Sequence, residues 1–412
     1  MSHRVVITGC AGVCPLGDSW EQARASLAAM KNRVRHVEAL DSYDGLNTKL
    51  ASLVSDFALP ERYADEREAS MGRVAQMAVH ATGLALEQAG LIGDPVLTGG
   101  ATGVAFGSCT GSTAKVLELV AAIRGEVASD AAEPLTRTDY VRALSHTAAI
   151  NIARTFGLTG RLVPTPSACT AGSQSIGYAC EALRAGRQTV MIAGGGEEFC
   201  ASEAATFDVL YATSTVNDAP HTTPRPFDRD RDGLVIGEGA GTVVLENRDH
   251  ALARGATPLA EVVGFGTNAD GAHVTRPNET TMGRALEMAL ADAGIDGREI
   301  GYVNAHGTAT EHGDIAETRA TARVLGHAAP ISSLKSYIGH TLGACGALEA
   351  WLLVNMLRNN WYAPTINLEN VDERCGDLDY VREAPRELDN EFVMSNNFAF
   401  GGINTSLVLR NA

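Results

Sequence analysis

Aromatic residues make up only 5% of this 412-residue chain, and its 33 Lys and Arg are outnumbered by 49 Asp and Glu. The formal charge of −16 supplies no basic face for a phosphate backbone, which argues against a nucleic-acid-binding protein while leaving room for a local basic patch. No apolar run is long enough to span a bilayer, and the opening MSHRVVITG lacks the apolar block of a signal peptide, running straight into a strand. The expectation is a cytoplasmic protein without a membrane span. No C-x-x-C pair occurs among the eight cysteines, and Cys10 and Cys14 have no second ligand pair nearby, so neither a disulfide framework nor a metal site is expected.

What is present is an ordinary globular balance, 45% apolar and 20% charged, rich in Ala and Gly. Apolar strands alternate with helix patterns throughout: RVVITG, TGVAFGS, TVMIAGG, GTVVLE, GYVNAHG and TSLVLR. That alternation predicts an α/β architecture with largely buried sheets. The chain also repeats itself. MGRVAQMAVHATGLALEQAGL, from Met71, resembles MGRALEMALADAGI, from Met282, and each precedes a strand. Each half then carries a polar loop feeding a small-residue helix, PSACTAGSQSIGYACEAL in the first and KSYIGHTLGACGALEAWLL in the second. Two halves with one order of elements imply duplicated α/β units related by a pseudo-twofold axis. Equivalent strand ends should then meet at one central site.

Cys169 stands at such an end. Small residues surround it (Ser167, Ala168, Thr170, Ala171, Gly172), so a bulky substrate could reach the thiol. Ala171 to Gln174 form the predicted first turn of a helix, whose free N–H groups and positive dipole end favour a thiolate. The residue reads either as a nucleophile or as the small buried hydrophobe that most free cysteines are. Cys180, within the same helix, reads as packing. The second half offers His306 after a strand, Lys335 and His340 before a helix, and the glycine-bearing turn of MSNNFAFGGINTSLVL. Either histidine alone would be structural, as His312 and His327 are read to be, on the surface. Together with a thiol they suit carbonyl chemistry, which needs an activated nucleophile and donors aimed at an oxyanion.

PSACTAGSQSIGYACEALRAG, RPFDRDRDGLVIGEGAG, NAHGTATEHGDIAET, LKSYIGHTLGACGALEA and SNNFAFGGINTSL resemble, in order, the signature segments of the β-ketoacyl-[acyl-carrier-protein] synthases. The likeness is to the elongating Cys-His-His class of type II fatty-acid synthesis and its polyketide relatives, and it extends from RVVITGCAGVCPLG to the last strand. The resemblance implies the thiolase fold, a duplicated five-layered αβαβα, with residues 1–255 carrying the nucleophile and 256–412 the two histidines and the lysine. It implies that Cys169 accepts an acyl group from an acyl carrier protein, with the backbone N–H groups of Cys169 and Phe400 as oxyanion hole. His306 and His340 would hold malonyl-carrier protein and stabilise the enolate formed as carbon dioxide leaves. Lys335 would set the electrostatics, with Glu349 anchoring it from behind. Phe400 would gate the acyl tunnel, Gly401 and Gly402 letting its loop move, with Phe398 beside it. Gly107, Ser108, Cys109 and Thr110 would line the acyl pocket. No cofactor or metal is implied, and the expected assembly is a homodimer or a heterodimer with an inactive homologue.

Other readings fit less well. A degradative thiolase needs a second cysteine in the final glycine-rich loop, where FAFGGIN has none; initiating synthases carry asparagine at His340. A non-catalytic chain-length subunit lacks the nucleophile. An unrelated cysteine hydrolase would need neither Lys335 and His340 nor the duplication. In RPFDRDRDGLVIGEGAG the glycines lead into a strand, so a nucleotide loop fails and a salt-bridge cluster is expected. GGGEE reads as close backbone packing beside a dimer contact. Three features depart from housekeeping synthases: no basic residue in YATSTVND, a mixed-charge ADEREASMGR, and small residues in GSCTGS that leave space for a longer or stiffer chain. Arg62, Arg67, Arg124, Lys31, Arg33 and Arg35 are the remaining candidates for docking an acidic carrier. A specialised polyene or polyketide synthase is the alternative these departures raise.

Overall fold

The computed structural model describes residues 3–64, 68–126 and 138–412. In chain order the first half runs β1 (Val5–Val13), α1 (Arg73–Ala89), β2 (Thr102–Gly107), α2 (Thr147–Phe156), β3 (Leu162–Pro164), α3 (Ala171–Arg184), β4 (Val190–Glu197) and β5 (Gly239–Asn247). The second runs β6 (Ala260–Ala269), α4 (Glu279–Ala293), β7 (Ile300–Asn304), α5 (Glu311–Leu325), β8 (Pro330–Ser332), α6 (Cys345–Arg358), β9 (Phe392–Ala399) and β10 (Ile403–Asn411). All six apolar segments noted in the sequence are strands. The repeated MGR segments are α1 and α4, each ending on a left-handed glycine, Gly90 and Gly294.

Strand order is β3-β2-β4-β5-β1 in one half and β8-β7-β9-β10-β6 in the other, with the same parallel and antiparallel senses at every step. The halves join edge to edge where Val6 and Ile7 pair with Glu261 and Ala260. Helices α1 and α2 cover the outer face of the first half, and α4 and α5 that of the second. Helices α3 and α6 pack on each other and on strands of both halves, completing five layers.

Small residues bring the central helices together. A Cβ on Gly172 would lie 2.7 Å from the backbone nitrogen of Ala347. With so few aromatics, the core is built from close backbone approach and aliphatic side chains. All eight cysteines are free; Cys10, Cys14 and Cys180 are buried in the largest apolar cluster. RPFDRDRD forms the expected ionic cluster, Arg231 meeting Asp372 at 2.7 Å and Asp314 at 3.5 Å. No helix among the described residues is long and apolar enough to cross a membrane.

Candidate active site

The two central helices begin in the same way. Ala168–Thr170 forms a single tight turn before α3, and Leu342–Ala344 forms one before α6. Ala168 (φ +50°) and Leu342 (φ +46°) both adopt the left-handed conformation that L-residues avoid. Each turn is therefore a strained elbow that lifts its middle residue over a helix N-terminus. In the first that residue is Cys169; in the second it is Gly343, and His340 sits just ahead of it.

Cys169 Sγ lies 3.0 Å from His340 Nε2. The imidazoles of His306 and His340 meet edge to face at 5.1 Å, and Phe398 stands edge-on to His306 at 6.1 Å. One ligand atom from each of Cys169, His306 and His340 falls within 4.8 Å of the others, close enough for a soft metal ion and equally for handling a thioester. His340 is held by its backbone N–H, which donates to Val235 at 2.7 Å. Glu317 fixes the other histidine: its two oxygens accept the N–H groups of His306 and Gly307, each at 2.7 Å.

Lys335 and Glu349 form an ion pair only 1% exposed on either side. Glu349 also accepts from Asn397 Nδ2 at 2.7 Å. This buried cation sets the electrostatics. Desolvation first, and then the Lys335 charge, hold His306 and His340 well below the usual histidine range, so both rings are neutral. Burial pushes the Cys169 thiol up to about 11, opposed by Lys335 and by the backbone N–H groups of Phe400 and Cys169 itself. The helix terminus alone predicts a thiolate; here desolvation outweighs it and the resting group is a thiol.

A cavity of about 530 Å³ leads outward from these three side chains past Phe207, Phe398 and Phe400. Phe400 is half-buried against Phe207, ring centroids 5.1 Å apart. Gly401 (φ +88°) and Gly402 (φ +76°) follow it, and a Cβ on Gly401 would meet nothing within 4 Å. Gly107, Ser108, Cys109 and Thr110 do not line this open space. Cys109 packs with Phe207, Leu342 and Phe400, while Ser108 Oγ and the Cys109 N–H donate to Glu197 at 2.8 and 2.7 Å. Phe400 and Phe207 close over this loop.

Sequence reasoning missed Glu317, Glu197, Asn397, Phe207 and Cys345, whose thiol donates to the Cys169 carbonyl at 3.1 Å. Glu317 carried a faint signal, since Asp314 and Glu317 are spaced to share one face of α5, and both are buried. Glu197 and Glu198 are buried carboxylates at the end of β4, where close backbone packing beside a dimer contact was expected. His312 is exposed as expected yet lines the cavity mouth, and His327 is half-buried rather than on the surface. Among the docking candidates, Arg62 pairs with Glu87 and Arg124 with Glu126, and Arg67 lies outside the described residues.

Residues 2–251 match the family described as "Beta-ketoacyl synthase, N-terminal domain", and residues 259–369 match its C-terminal domain. The chain belongs to the β-ketoacyl synthase family and is an acyltransferase of the condensing type. It is 38% identical to the 3-oxoacyl-[acyl-carrier-protein] synthase 2 of Vibrio cholerae, across 99% of both chains. Among solved structures, a β-ketoacyl synthase from Burkholderia phymatum superposes with a TM-score of 0.96 at 53% identity over the whole of both chains. The ishigamide ketosynthase/chain length factor superposes with a TM-score of 0.90 at 32% identity, again over both whole chains. The fold is thiolase-like.

Proposed function

We propose that this chain elongates acyl chains as a β-ketoacyl-[acyl-carrier-protein] synthase, with Cys169 as its nucleophile and the second-half histidines as its condensation site. The observation that carries this reading is the convergence of Cys169, His306 and His340 at the inner end of one cavity. The Cys169 sulfur attacks the thioester of an acyl-carrier protein; its proton ends on the carrier's sulfur, and the acyl group stays on Cys169. The N–H groups of Cys169 and Phe400 stabilise the oxyanion of that exchange. Malonyl-carrier protein then loses carbon dioxide, and the enolate oxygen is held by His306 and His340. Neutral imidazoles donate to that oxygen without an opposing charge on the resting enzyme. The enolate carbon attacks the Cys169 thioester, forming the new carbon–carbon bond and returning the thiolate. Lys335, Glu349 and Asn397 position this site without touching substrate. Phe400, backed by Phe207, gates the way to Cys109 and its neighbours, with Gly401 and Gly402 as its hinge.

The two halves, 1–255 and 256–412, act as one catalytic unit in a homodimer located in the cytoplasm. The edge strand β3, with Leu162 exposed, and the exposed Leu117 and Ile123 of the helix Thr113–Arg124 support pairing with a second copy. Elongation of polyene or polyketide chains is the second reading, favoured by the small side chain of Cys109 behind Phe400. Alanine at Cys169 is expected to abolish acyl loading. Alanine at His306 or His340 should cut condensation by about 10²–10³ while loading stays within about tenfold of the wild type. Condensation surviving in either histidine variant would remove that residue from the enolate site.

A further inference from the structure

The geometry points to a second capacity of the cluster formed by Cys169, His306 and His340. It is a reversible binding site for a thiophilic divalent cation such as Zn2+, and an ion held there blocks the thiol. The site stands on the positions of these side chains alone; the block rests on the reading of Cys169 as nucleophile given above. One sulfur and two imidazole nitrogens are a donor set that zinc favours. Cys169 Sγ and His340 Nε2 are 3.0 Å apart, and one donor atom from each of the three residues lies within 4.8 Å of the others. Zinc bond lengths of about 2.0–2.3 Å put tetrahedral ligands about 3.3–3.6 Å apart. A gap of 4.8 Å would therefore have to close by about 1.5 Å.

Side-chain rotation can supply that movement. His306 is fixed through its backbone N–H by Glu317, and the buried Nδ1 of each ring has no hydrogen-bond partner, so a ring can swing toward an ion without losing a bond at that atom. Both imidazoles rest neutral and need not shed a proton to ligate. Cys169 gives its proton to water as the sulfur–metal bond forms, the charge of the ion supplying the thiolate that burial opposes. Lys335, whose charge would repel a dication, is already paired with Glu349. Three protein donors leave a fourth position facing the cavity that opens from Cys169, where water or a small thiol completes the shell.

The unpartnered nitrogens also limit the affinity. A ligating histidine ordinarily donates its far N–H to a carboxylate or carbonyl, and losing such a tie costs about 10–100-fold in metal affinity. His340 would ligate through Nε2, and its Nδ1 has no such tie. The ion is therefore exchangeable, a brake rather than a fixed component. An acyl group on Cys169 removes the sulfur donor, so the unloaded enzyme alone is open to it.

The probe is Co2+, which occupies zinc sites and is visible when bound by thiolate. Titrated into the reduced, chelator-treated protein, it should raise a sulfur-to-cobalt charge-transfer band and the strong visible bands of four-coordinate cobalt, saturating at one ion per chain and displaced by Zn2+. The charge-transfer band should vanish in Cys169→Ala, weaken in affinity by about tenfold or more in His340→Ala, and persist in Cys375→Ala. Wild-type protein alkylated at Cys169 should also lose it, a test that needs no variant to fold. Loading of Cys169 from the free thioester S-acyl-N-acetylcysteamine, read by intact mass, should slow by about tenfold or more under saturating Zn2+ and recover with EDTA. A wild type without the charge-transfer band, or a band that survives alkylation of Cys169, would overturn the site. Loading at the metal-free rate in saturating Zn2+ would overturn the block. Failure of the metal-free wild type to load at all would instead overturn the reading of the nucleophile, and the block with it, while the cobalt band still decides the metal site.

Discussion

Cys169, the proposed nucleophile, is kept protonated by its own burial. Its alkylation by iodoacetamide should climb steadily with pH from 6 to 9 without a plateau, because the thiol is pushed up to about 11. A plateau near neutral pH would show a pre-formed thiolate and refute this balance of forces. Lys335 acts on the same atoms from a distance. Replacing it by Met leaves Glu349 buried without its cation, a loss of about 3–5 kcal/mol visible in Tm, whereas Lys335→Met with Glu349→Met should recover most of it. Lys335 also helps hold both histidines below the ordinary range, and the proposed condensation uses the neutral rings. Condensation in the wild type should therefore persist as pH falls below the usual histidine pKa. In Lys335→Met its acid limb should move to higher pH, and an unmoved limb would remove the lysine from the electrostatics of the site.

At the scale of elements, function depends on twin elbows held a fixed distance apart by α3 and α6. Gly172→Val would push a branched side chain against Ala347, and overpacking of this kind costs about 1–3 kcal/mol. We expect a lower Tm together with slower condensation, since the same displacement moves Cys169 from His340; a variant with wild-type Tm and condensation would show the contact to be slack. Much at this scale was legible in the chain. The repeated MGR helices, the strand runs and the small residues around Cys169 have local signatures that survive into the fold. The partners of Glu197, Glu317 and Cys345 were not legible: Cys345 meets the Cys169 carbonyl of the other half, Glu197 gathers N–H groups from the loop after β2 and from Gly343, and Glu317 reaches back across a loop to His306 and Gly307. A buried glutamate in sequence looks like a solvated one until its N–H donors are in place. The balance between helix terminus and desolvation at Cys169 was hidden for the same reason.

For the whole molecule, the two five-stranded halves of the sheet leave β3 at one edge, with Leu162 exposed, while the short strand Asp379–Tyr380 covers β8 at the other. Sedimentation should report a dimer at micromolar concentration, and Leu162→Lys should shift it toward monomer. A wild-type monomer would reject the pairing proposed here. The carrier must approach the cavity mouth and bring its thioester inward to Cys169. The central claim is that Cys169 holds the growing chain and that the histidine half discharges it. Intact mass after exposure to acyl-carrier protein, and again after adding malonyl-carrier protein, tests this most directly. The account predicts one acyl adduct on Cys169 that disappears on the second addition as β-ketoacyl-carrier product forms. An adduct elsewhere, or one that malonyl-carrier protein leaves in place, would contradict it.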